Sequence, residues 1–209
     1  MSPDEAPKDP AAAPAPARHP DQLRWNAKYT GGFTPSFAPQ QLAVRALSME
    51  LPDGPVADLA CGPSGTALLA AAYGRRVTAV DVSDAALGML AGEARRRGLA
   101  HLVTSVLADL AAWQPEPSGY ALVICTGFWD AAVFPAAAAA VAPGGLLAWQ
   151  AYTAAARNAH PSLRPEWCLA AGQPASLLPA DFTLIDQREV DLTRQLLARR
   201  SPCPQTPCP

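Results

Sequence analysis

The stretch of sequence that decides the fold of this chain is VADLACGPSGT, residues 56–66. A short apolar run with an acid is followed by a turn of small residues and then by the apolar helical pattern of residues 67–72. This order predicts a strand, a tight loop and a helix. The small residues let a ligand approach the backbone closely, and the N-terminus of the helix offers unpaired N–H groups to it.

A second strand pattern, Arg76–Val80, follows this helix and leads into Asp81. An acid at the tip of the second strand of a βαβ unit is where ribose hydroxyls are bound. The first loop lacks the G-x-G-x-x-G spacing that a dinucleotide pyrophosphate requires. Asp58 would also repel a pyrophosphate, whereas it suits the ammonium group of an amino acid. A ligand with a ribose at one end and a free amino acid at the other is S-adenosylmethionine.

These two segments resemble motif I and the adjoining acidic motif of class I S-adenosylmethionine-dependent methyltransferases. The resembling segments are DLACGPSGT at residues 58–66 and VTAVDVS at residues 77–83. Motif I most often has glycine where this chain has Ala60 and Ser64. Both residues are small and Gly65 follows at once, so we interpret the loop as intact. The resemblance implies S-adenosylmethionine as the cofactor and a seven-stranded sheet with a reversed last strand.

Strand and helix patterns alternate along the chain and predict a doubly wound, mostly parallel α/β sheet of Rossmann-like type. The predicted strands are Val56–Leu59, Arg76–Val80, His101–Leu107, Tyr120–Cys125 and Leu146–Tyr152, followed by an antiparallel pair at Phe182–Leu192 and Arg194–Arg199. The predicted helices are Asp21–Tyr29, Pro39–Glu50, Ser64–Tyr73, Asp84–Arg97 and Asp130–Val141. A turn is predicted at Pro143-Gly144-Gly145.

Composition limits the classes of partner. The 209 residues suit one α/β domain, which we predict at residues 21–200. A formal net charge of -2 provides no basic field for nucleic acid, and no apolar run is long enough to span a membrane. The Pro/Ala-rich segment 1–20 is predicted to be disordered and lacks the apolar part of a signal peptide. We therefore expect a cytoplasmic protein that acts on a small molecule.

The five cysteines predict no metal site. Cys61, Cys125 and Cys168 lie in apolar contexts and are expected to be reduced and buried. Cys203 and Cys208 lie in the Pro/Cys tail, residues 201–209, and no second ligand pair accompanies them.

The cofactor site is predicted at the carboxyl ends of the strands, where ligands of open α/β sheets bind. Asp58 and residues 60–62 are expected beside the methionyl part, Asp81 at the ribose and Val82 on the adenine. The resemblance places residues 108–110 at the adenine amino group, although Asp109 has the alternative role of a helix cap. The predicted cofactor-binding residues are Asp58, Ala60, Cys61, Gly62, Gly65, Asp81, Val82, Asp109, Leu110, Cys125 and Thr126.

Three further segments carry a closer resemblance. RWNAKY at residues 24–29 resembles a W-x-x-x-Y segment that precedes the fold of small methyltransferases, and PGGLL at residues 143–147 resembles their motif before strand 5. NAHPSLRPE at residues 158–166 resembles a stretch of the tellurite-resistance methyltransferase group. By analogy with that group, the acceptor is predicted to be a soft oxyanion or a thiol.

Such an acceptor needs cationic or hydrogen-bonding groups near it, and it needs no general base when it is already ionised. We therefore predict catalytic roles for His160, Arg157 and Arg164, in the segment after strand 5. The predicted walls of the substrate site are Trp25, Tyr29, Phe128 and Trp129.

Two other functions are alternatives to a methyltransferase. A non-catalytic module of this fold that binds a partner protein would have a defective cofactor site, whereas Asp58, Gly62, Gly65 and Asp81 are all present. A nicotinamide-dependent reductase is disfavoured by the loop spacing and by the absence of an evident Tyr-x-x-x-Lys pair. The sequence TGFW at residues 126–129 is not a D-P-P-Y or N-P-P-Y motif, which disfavours methylation of nucleic-acid bases or glutamine amides.

Overall fold

A computed structural model describes residues 19–202 of the chain. The predictions for residues 1–18, Cys203 and Cys208 lie outside the described residues. His19 accepts a hydrogen bond from the backbone N–H of Asp21 at 3.3 Å and caps a helix that begins at Pro20. His19 and Pro20, which the sequence analysis placed in the segment predicted to be disordered, therefore belong to the start of this helix.

The sheet has the predicted topology. Within residues 19–202, seven strands form one sheet in the order β3-β2-β1-β4-β5-β7-β6. The strands are β1 (Val56–Leu59), β2 (Val77–Asp81), β3 (Val103–Leu107), β4 (Tyr120–Thr126), β5 (Val141–Tyr152), β6 (Phe182–Val190) and β7 (Thr193–Arg200). Strand β7 is antiparallel to both of its neighbours, and the other pairs are parallel. The predicted Rossmann-like fold, with an antiparallel last strand, is confirmed.

The helices of the described residues are α1 (Pro20–Thr30), α2 (Gln41–Leu47), α3 (Gly65–Ala72), α4 (Asp84–Arg96), α5 (Phe134–Ala139) and α6 (Ala156–Ala159), with short 3-10 turns at Pro165–Trp167 and Ala175–Leu177. Side chains cap the N-termini of α1, α3 and α4. Ser64 and Ser83 accept hydrogen bonds from the N–H groups of Ala67 and Ala86 at 3.0 and 3.1 Å. Each serine thus satisfies an N–H group that would otherwise be unpaired in the first turn of α3 or α4.

Two apolar layers cover the sheet, one on each face. Phe134 of α5 packs against Trp149 of β5 on one face, with their ring centroids 5.2 Å apart. Leu68 of α3 and Leu90 of α4 are fully buried on the other face. Because both faces are covered, the central strands are apolar throughout, as the uninterrupted run in β4 predicts. None of the helices in residues 19–202 is both long and apolar enough to cross a membrane.

The predicted turn at residues 143–145 is wrong. Strand β5 pairs with β4 at Tyr120–Val141, and pairing resumes at Leu122–Leu146, so residues 142–145 form a bulge within one strand. A Cβ atom at Gly145 would lie 2.8 Å from the carbonyl oxygen of Ala121. Proline and glycine mark bulges as well as turns, which is why the local pattern was misleading.

The predicted helix Asp130–Val141 is shorter than expected and begins at Phe134. The carboxylate of Asp130 accepts a hydrogen bond from the N–H of Ala132 at 2.8 Å, which holds the preceding residues in a turn.

Candidate functional site

A cavity of about 420 Å³ opens at the carboxyl ends of β1, β2 and β4. This volume lies in the range of about 300–1,000 Å³ that is typical of small-molecule sites. We call the strand ends and following loops that line it the floor, residues 60–66, 81–82, 108–110 and 126–128. Helix α1 and residues 31–40 lie over the floor and form the roof.

Asp81 is the buried acid on the surface of the floor. Its Oδ2 accepts a hydrogen bond from the N–H of Gly62 at 2.7 Å, and its Oδ1 accepts one from the N–H of Ser83 at 2.8 Å. Burial raises the pKa of this carboxyl, and its backbone hydrogen bonds oppose that rise. A carboxylate oxygen can accept two hydrogen bonds, so each oxygen retains capacity for a ligand hydroxyl. Two adjacent hydroxyls, as on a ribose, match this acceptor pair.

Asp58 lies beneath the loop and does not line the cavity. Its side chain is 1% exposed, and its Oδ2 accepts a hydrogen bond from the hydroxyl of Ser64 at 2.5 Å. Burial raises its pKa to about 7, the charge of Asp81 adds to the rise, and the Ser64 hydrogen bond opposes it. Asp58 therefore has no direct access to a ligand in the cavity, because its side chain lies beneath the loop and binds Ser64, the cap residue of α3.

The loop after β1 has a strained backbone. Ala60 has a φ of 47°, in the left-handed region that favours glycine, at the position where motif I most often has glycine. Gly62 has a φ of 58°. A Cβ atom at Gly62 would also lie 3.0 Å from the hydroxyl oxygen of Tyr29 in the roof. Ala60 therefore has the left-handed backbone conformation that favours glycine, although the residue at this position is alanine.

Gly65 is required because the roof crosses directly over it. A Cβ atom there would lie 2.4 Å from the carbonyl carbon of Ala38 and 2.5 Å from the carbonyl oxygen of Phe37. Phe37 itself has a φ of 50°. The absence of a side chain at the start of α3 thus allows the roof to approach the floor.

A polar contact holds α1 over the cavity. The side chain of Asn26 donates to the carboxylate of Asp84 at 2.5 Å and accepts from the hydroxyl of Ser83 at 2.6 Å. Both partners lie at the start of α4. The sequence analysis missed Asn26, although it lies inside the W-x-x-x-Y segment that drew attention to α1.

Tyr29 is the buried residue of α1. Burial raises its pKa to about 12, and the charges of Asp81 and Cys61 add to the effect. The phenol is therefore neutral at physiological pH. It can donate a hydrogen bond into the cavity, but it is not a general base there.

Aromatic side chains form much of the cavity wall. The rings of Trp25 and Tyr29 are stacked with centroids 6.0 Å apart, and Phe33 meets Tyr29 edge-on at 5.2 Å. Phe128 and Tyr152 line the cavity from the sheet side. Such walls suit a flat or apolar body.

Two predicted site residues lie in the core instead. Trp129 is 3% exposed and packs against Phe134 and Trp149, so it does not form a wall of the site. Cys125 is fully buried, and it is Thr126 that reaches the cavity. In both cases the side chain packs into the apolar layer on one face of the sheet.

The three predicted catalytic residues do not line the cavity. His160 is exposed, and its ring centroid lies 6.0 Å from that of Tyr152. Arg157 donates to a carbonyl oxygen of its own loop at 3.3 Å, and Arg164 stacks on Trp167 at 4.7 Å. Helix α6 and the following 3-10 turn hold them outside the wall.

The remaining predicted residues meet at the cavity: Ala60, Cys61, Gly62, Gly65, Asp81, Val82, Asp109, Leu110 and Thr126, with Trp25, Tyr29 and Phe128. The sequence analysis did not select His19, Lys28, Phe33, Phe37 and Tyr152, which also line it. Phe33 and Phe37 lie between two helices, where no periodicity marks them. His19 had been assigned to the N-terminal segment, yet its Nε2 is 3.6 Å from a carboxylate oxygen of Asp109.

Residues 56–145 match the family model of a methyltransferase domain, so the match covers β1 to the bulge of β5. No curated protein sequence matches the chain.

Several solved structures share the fold. A protein that converts a disulfide bond into a thioacetal group in echinomycin biosynthesis has a TM-score of 0.70 and 20% identity, covering 89% of this chain and 95% of that one. Geranyl diphosphate C-methyltransferase from Streptomyces coelicolor A3(2), in complex with S-adenosyl-L-homocysteine, has a TM-score of 0.59 and 14% identity, with coverage of 77% and 74%. TehB from Haemophilus influenzae has a TM-score of 0.63 and 13% identity, with coverage of 84% and 67%.

The domain match agrees with the predicted methyltransferase activity. Two of the similar structures, one of them geranyl diphosphate C-methyltransferase, contain S-adenosylhomocysteine. At 13% identity the likeness to TehB shows the fold alone. The closer grouping with tellurite-resistance enzymes therefore stays a prediction.

Proposed function

We propose that this methyltransferase holds S-adenosylmethionine in the 420 Å³ cavity and methylates a small-molecule acceptor there. The observation that carries the proposal is the Asp81 carboxylate. It is fixed by the N–H groups of Gly62 and Ser83 and still has acceptor capacity toward the cavity. Charge-assisted hydrogen bonds from two ribose hydroxyls would contribute about 1.5–3 kcal/mol each.

The other floor residues fit the rest of the cofactor. Val82 would pack on the adenine ring, and residues 108–110 would lie beside the adenine amino group. The backbone of residues 60–62 would meet the methionyl part. The ionised form of Asp58, whose pKa is about 7, would favour the ammonium group from beneath Ser64 and without direct contact.

When bound, the cofactor supplies an electrophilic methyl group on a sulfonium. The chain would contribute position and exclusion of water, which provide much of the acceleration of such a reaction. The aromatic roof over the buried floor suits both tasks, and the neutral Tyr29 hydroxyl would orient one reactant by donating a hydrogen bond.

We infer that the acceptor is a soft nucleophile, such as a thiol or a soft oxyanion. Of the three predicted catalytic residues, only His160 is of a type that acts as a general base, and it lies outside the cavity wall. An acceptor that is already ionised needs none. The similar protein from echinomycin biosynthesis, which converts a disulfide bond, also acts on sulfur.

Calorimetric titration of the full chain with S-adenosylmethionine tests the cofactor site, with NADH as the control ligand. We expect binding at about micromolar Kd and no heat with NADH. Asp81→Ala should weaken binding by about 2–3 kcal/mol, because charge-assisted hydrogen bonds are lost. Asp130→Ala is the matched control, since Asp130 accepts a comparable backbone hydrogen bond at 2.8 Å in a turn outside the cavity.

Unchanged affinity in Asp81→Ala would contradict the role of Asp81. Turnover is then measured with thiols and with oxyanions of selenium and tellurium. Cofactor binding without turnover of any of these would favour the alternative of a non-catalytic module that binds a partner protein.

A further inference from the structure

Three cations and two indole rings alternate along the outside of the roof. The Nζ atom of Lys28 lies 4.6 Å from the ring centroid of Trp25, and the Cζ atom of Arg24 lies 5.3 Å from the same ring. Arg24 also lies 4.4 Å from the ring of Trp167, which Arg164 approaches to 4.7 Å. We call Lys28, Trp25, Arg24, Trp167 and Arg164 the cationic ladder.

The cations of the ladder have no carboxylate partner among residues 19–202. Other arginines of the chain do: Arg194 pairs with Glu189 at 2.6 Å, and Arg200 pairs with Asp181 at 2.8 Å. Arg24, Lys28 and Arg164 are exposed and contact aromatic faces instead. A guanidinium stacked on a ring keeps its N–H edge available for an anion, and the ring fixes its orientation.

The ladder is continuous with the cavity. Trp25 and Lys28 line the cavity, and Arg24 stacks between Trp25 and Trp167 toward the 3-10 turn at residues 165–167. The floor has the opposite charge, with Asp81 and Asp109 on its surface and Asp58 beneath it. The acids suit the ribose and ammonium of the cofactor, whereas the cations are left for the second reactant.

We propose that the acceptor carries an anionic group, a carboxylate or a phosphate, which the cationic ladder binds at the rim while the reacting atom lies in the cavity. This inference rests on the proposed function and adds the charge class of the substrate. Arg164, expected from the sequence to act at the reacting atoms, becomes a binding residue together with Arg24. Lys28 is the cation of the ladder that lines the cavity.

The test uses the full chain saturated with S-adenosylhomocysteine, which cannot donate a methyl group. Two probes of the same shape and different charge, 2-naphthoate and 2-naphthamide, are titrated by calorimetry. We expect the anion to bind about tenfold more tightly than the amide, as charge-assisted hydrogen bonds predict. The preference should shrink as salt rises, because the ladder is exposed.

The decisive variant is the double substitution Arg24→Gln/Arg164→Gln. It should reduce the preference for 2-naphthoate to about twofold or less, since both rim guanidinium groups are gone. Arg76→Gln/Arg95→Gln removes the same charge at two exposed positions outside the ladder and should keep the preference. Lys28→Gln should also lower the preference for 2-naphthoate over 2-naphthamide.

Equal affinity of both probes in the wild type, or an undiminished preference in the Arg24/Arg164 variant, would overturn the anion site. A titration with S-adenosylhomocysteine precedes the probes and reads out the cofactor site separately. Failure of the wild type to bind it would overturn the proposed function. Normal cofactor binding in the variants shows that they are folded, so a lost preference then supports the ladder.

Discussion

The floor of the cavity consists of buried strand ends whose polar groups bind one another, whereas the roof is an exposed helix attached through few side chains. In the floor, Asp58 pairs with Ser64, and Asp81 pairs with Gly62. In α1, Tyr29 is the buried residue, and Asn26 holds the helix to α4. The floor is thus built to hold one ligand in one geometry, and the roof contributes contacts that can open locally.

The floor and the roof also differ in the reactant that each is proposed to bind. Acids and backbone N–H groups of the floor suit the cofactor that we propose, S-adenosylmethionine. Aromatic rings and cations of the roof would face the acceptor in the function that we propose. Substitutions in the two regions should therefore have separable effects on stability and on binding.

The largest expected effect concerns the buried acid of the floor. The pKa of Asp58 in the folded chain is about 7, above its ordinary value of 3.8. Between about pH 4 and pH 7 the folded state keeps a proton that the unfolded chain has released, so the free energy of unfolding falls as pH rises. The fall amounts to roughly a few kcal/mol. Urea denaturation at pH 5 and pH 7.5 should show it in the wild type and less of it in Asp58→Asn.

Equal pH dependence in Asp58→Asn and the wild type would contradict this assignment. Asp130→Asn serves as the control, because that carboxyl lies outside the cavity and accepts only a local turn hydrogen bond.

The junction of floor and roof should be almost as sensitive. Gly65→Ala would bring a Cβ atom within 2.5 Å of the backbone of Ala38 and should destabilise the chain by about 2 kcal/mol. The added Cβ atom should push the roof away from the floor. The midpoint of thermal unfolding and the affinity for S-adenosylmethionine measure the effect. Gly92→Ala in α4, where the added Cβ atom meets nothing within 4 Å, should instead stabilise by about 0.5 kcal/mol. Similar behaviour of the two variants would show that the close approach does not matter.

The contact that holds the roof should have a moderate and local effect. Asn26→Ala removes the hydrogen bonds to Ser83 and Asp84 and should cost about 1–2 kcal/mol in the attachment of α1. Hydrogen exchange should rise in residues 20–30 and stay unchanged in β1. Leu23→Ala, at an exposed position of the same helix, is the control. A uniform rise across the sheet would mean that roof and floor do not open separately.

The smallest effect is expected in the loop after β1. Ala60→Gly relieves a left-handed backbone at φ 47° but adds freedom to the unfolded chain, for a net gain of about 0.5 kcal/mol. Ala57→Gly in β1 is the control and should destabilise. Denaturant midpoints of the two variants distinguish the cases, and a loss in Ala60→Gly would show that the strain at Ala60 is negligible.

Much of the floor could be predicted from the sequence because its determinants are local. The acid, the small-residue turn and the serine cap lie within residues 58–66, and Asp81 follows after one helix and one strand. The roof could not be predicted in the same way. Asn26 and Ser83 are 57 residues apart, and nothing in the pattern of α1 indicates this partner.

Errors arose where a residue type suits two environments. A tryptophan at position 129 suits a cavity wall as well as the apolar core. Trp129 packs on Trp149 and therefore lies in the core. An arginine after β5 suits a catalytic role as well as a surface contact, and Arg164 stacks on Trp167 outside the cavity. The proline and glycines at residues 143–145 mark a bulge as readily as a turn.

By itself, the sequence determined the alternation of strands and helices, the loop after β1 and the acid that ends β2, since periodicity and short spacings encode them. Only the tertiary structure decided that Asp58 acts from beneath Ser64, that Gly65 must admit the roof, and which aromatic rings face the cavity. These features depend on contacts between segments far apart in the chain. Such contacts are selected by packing over the whole domain and leave no local pattern.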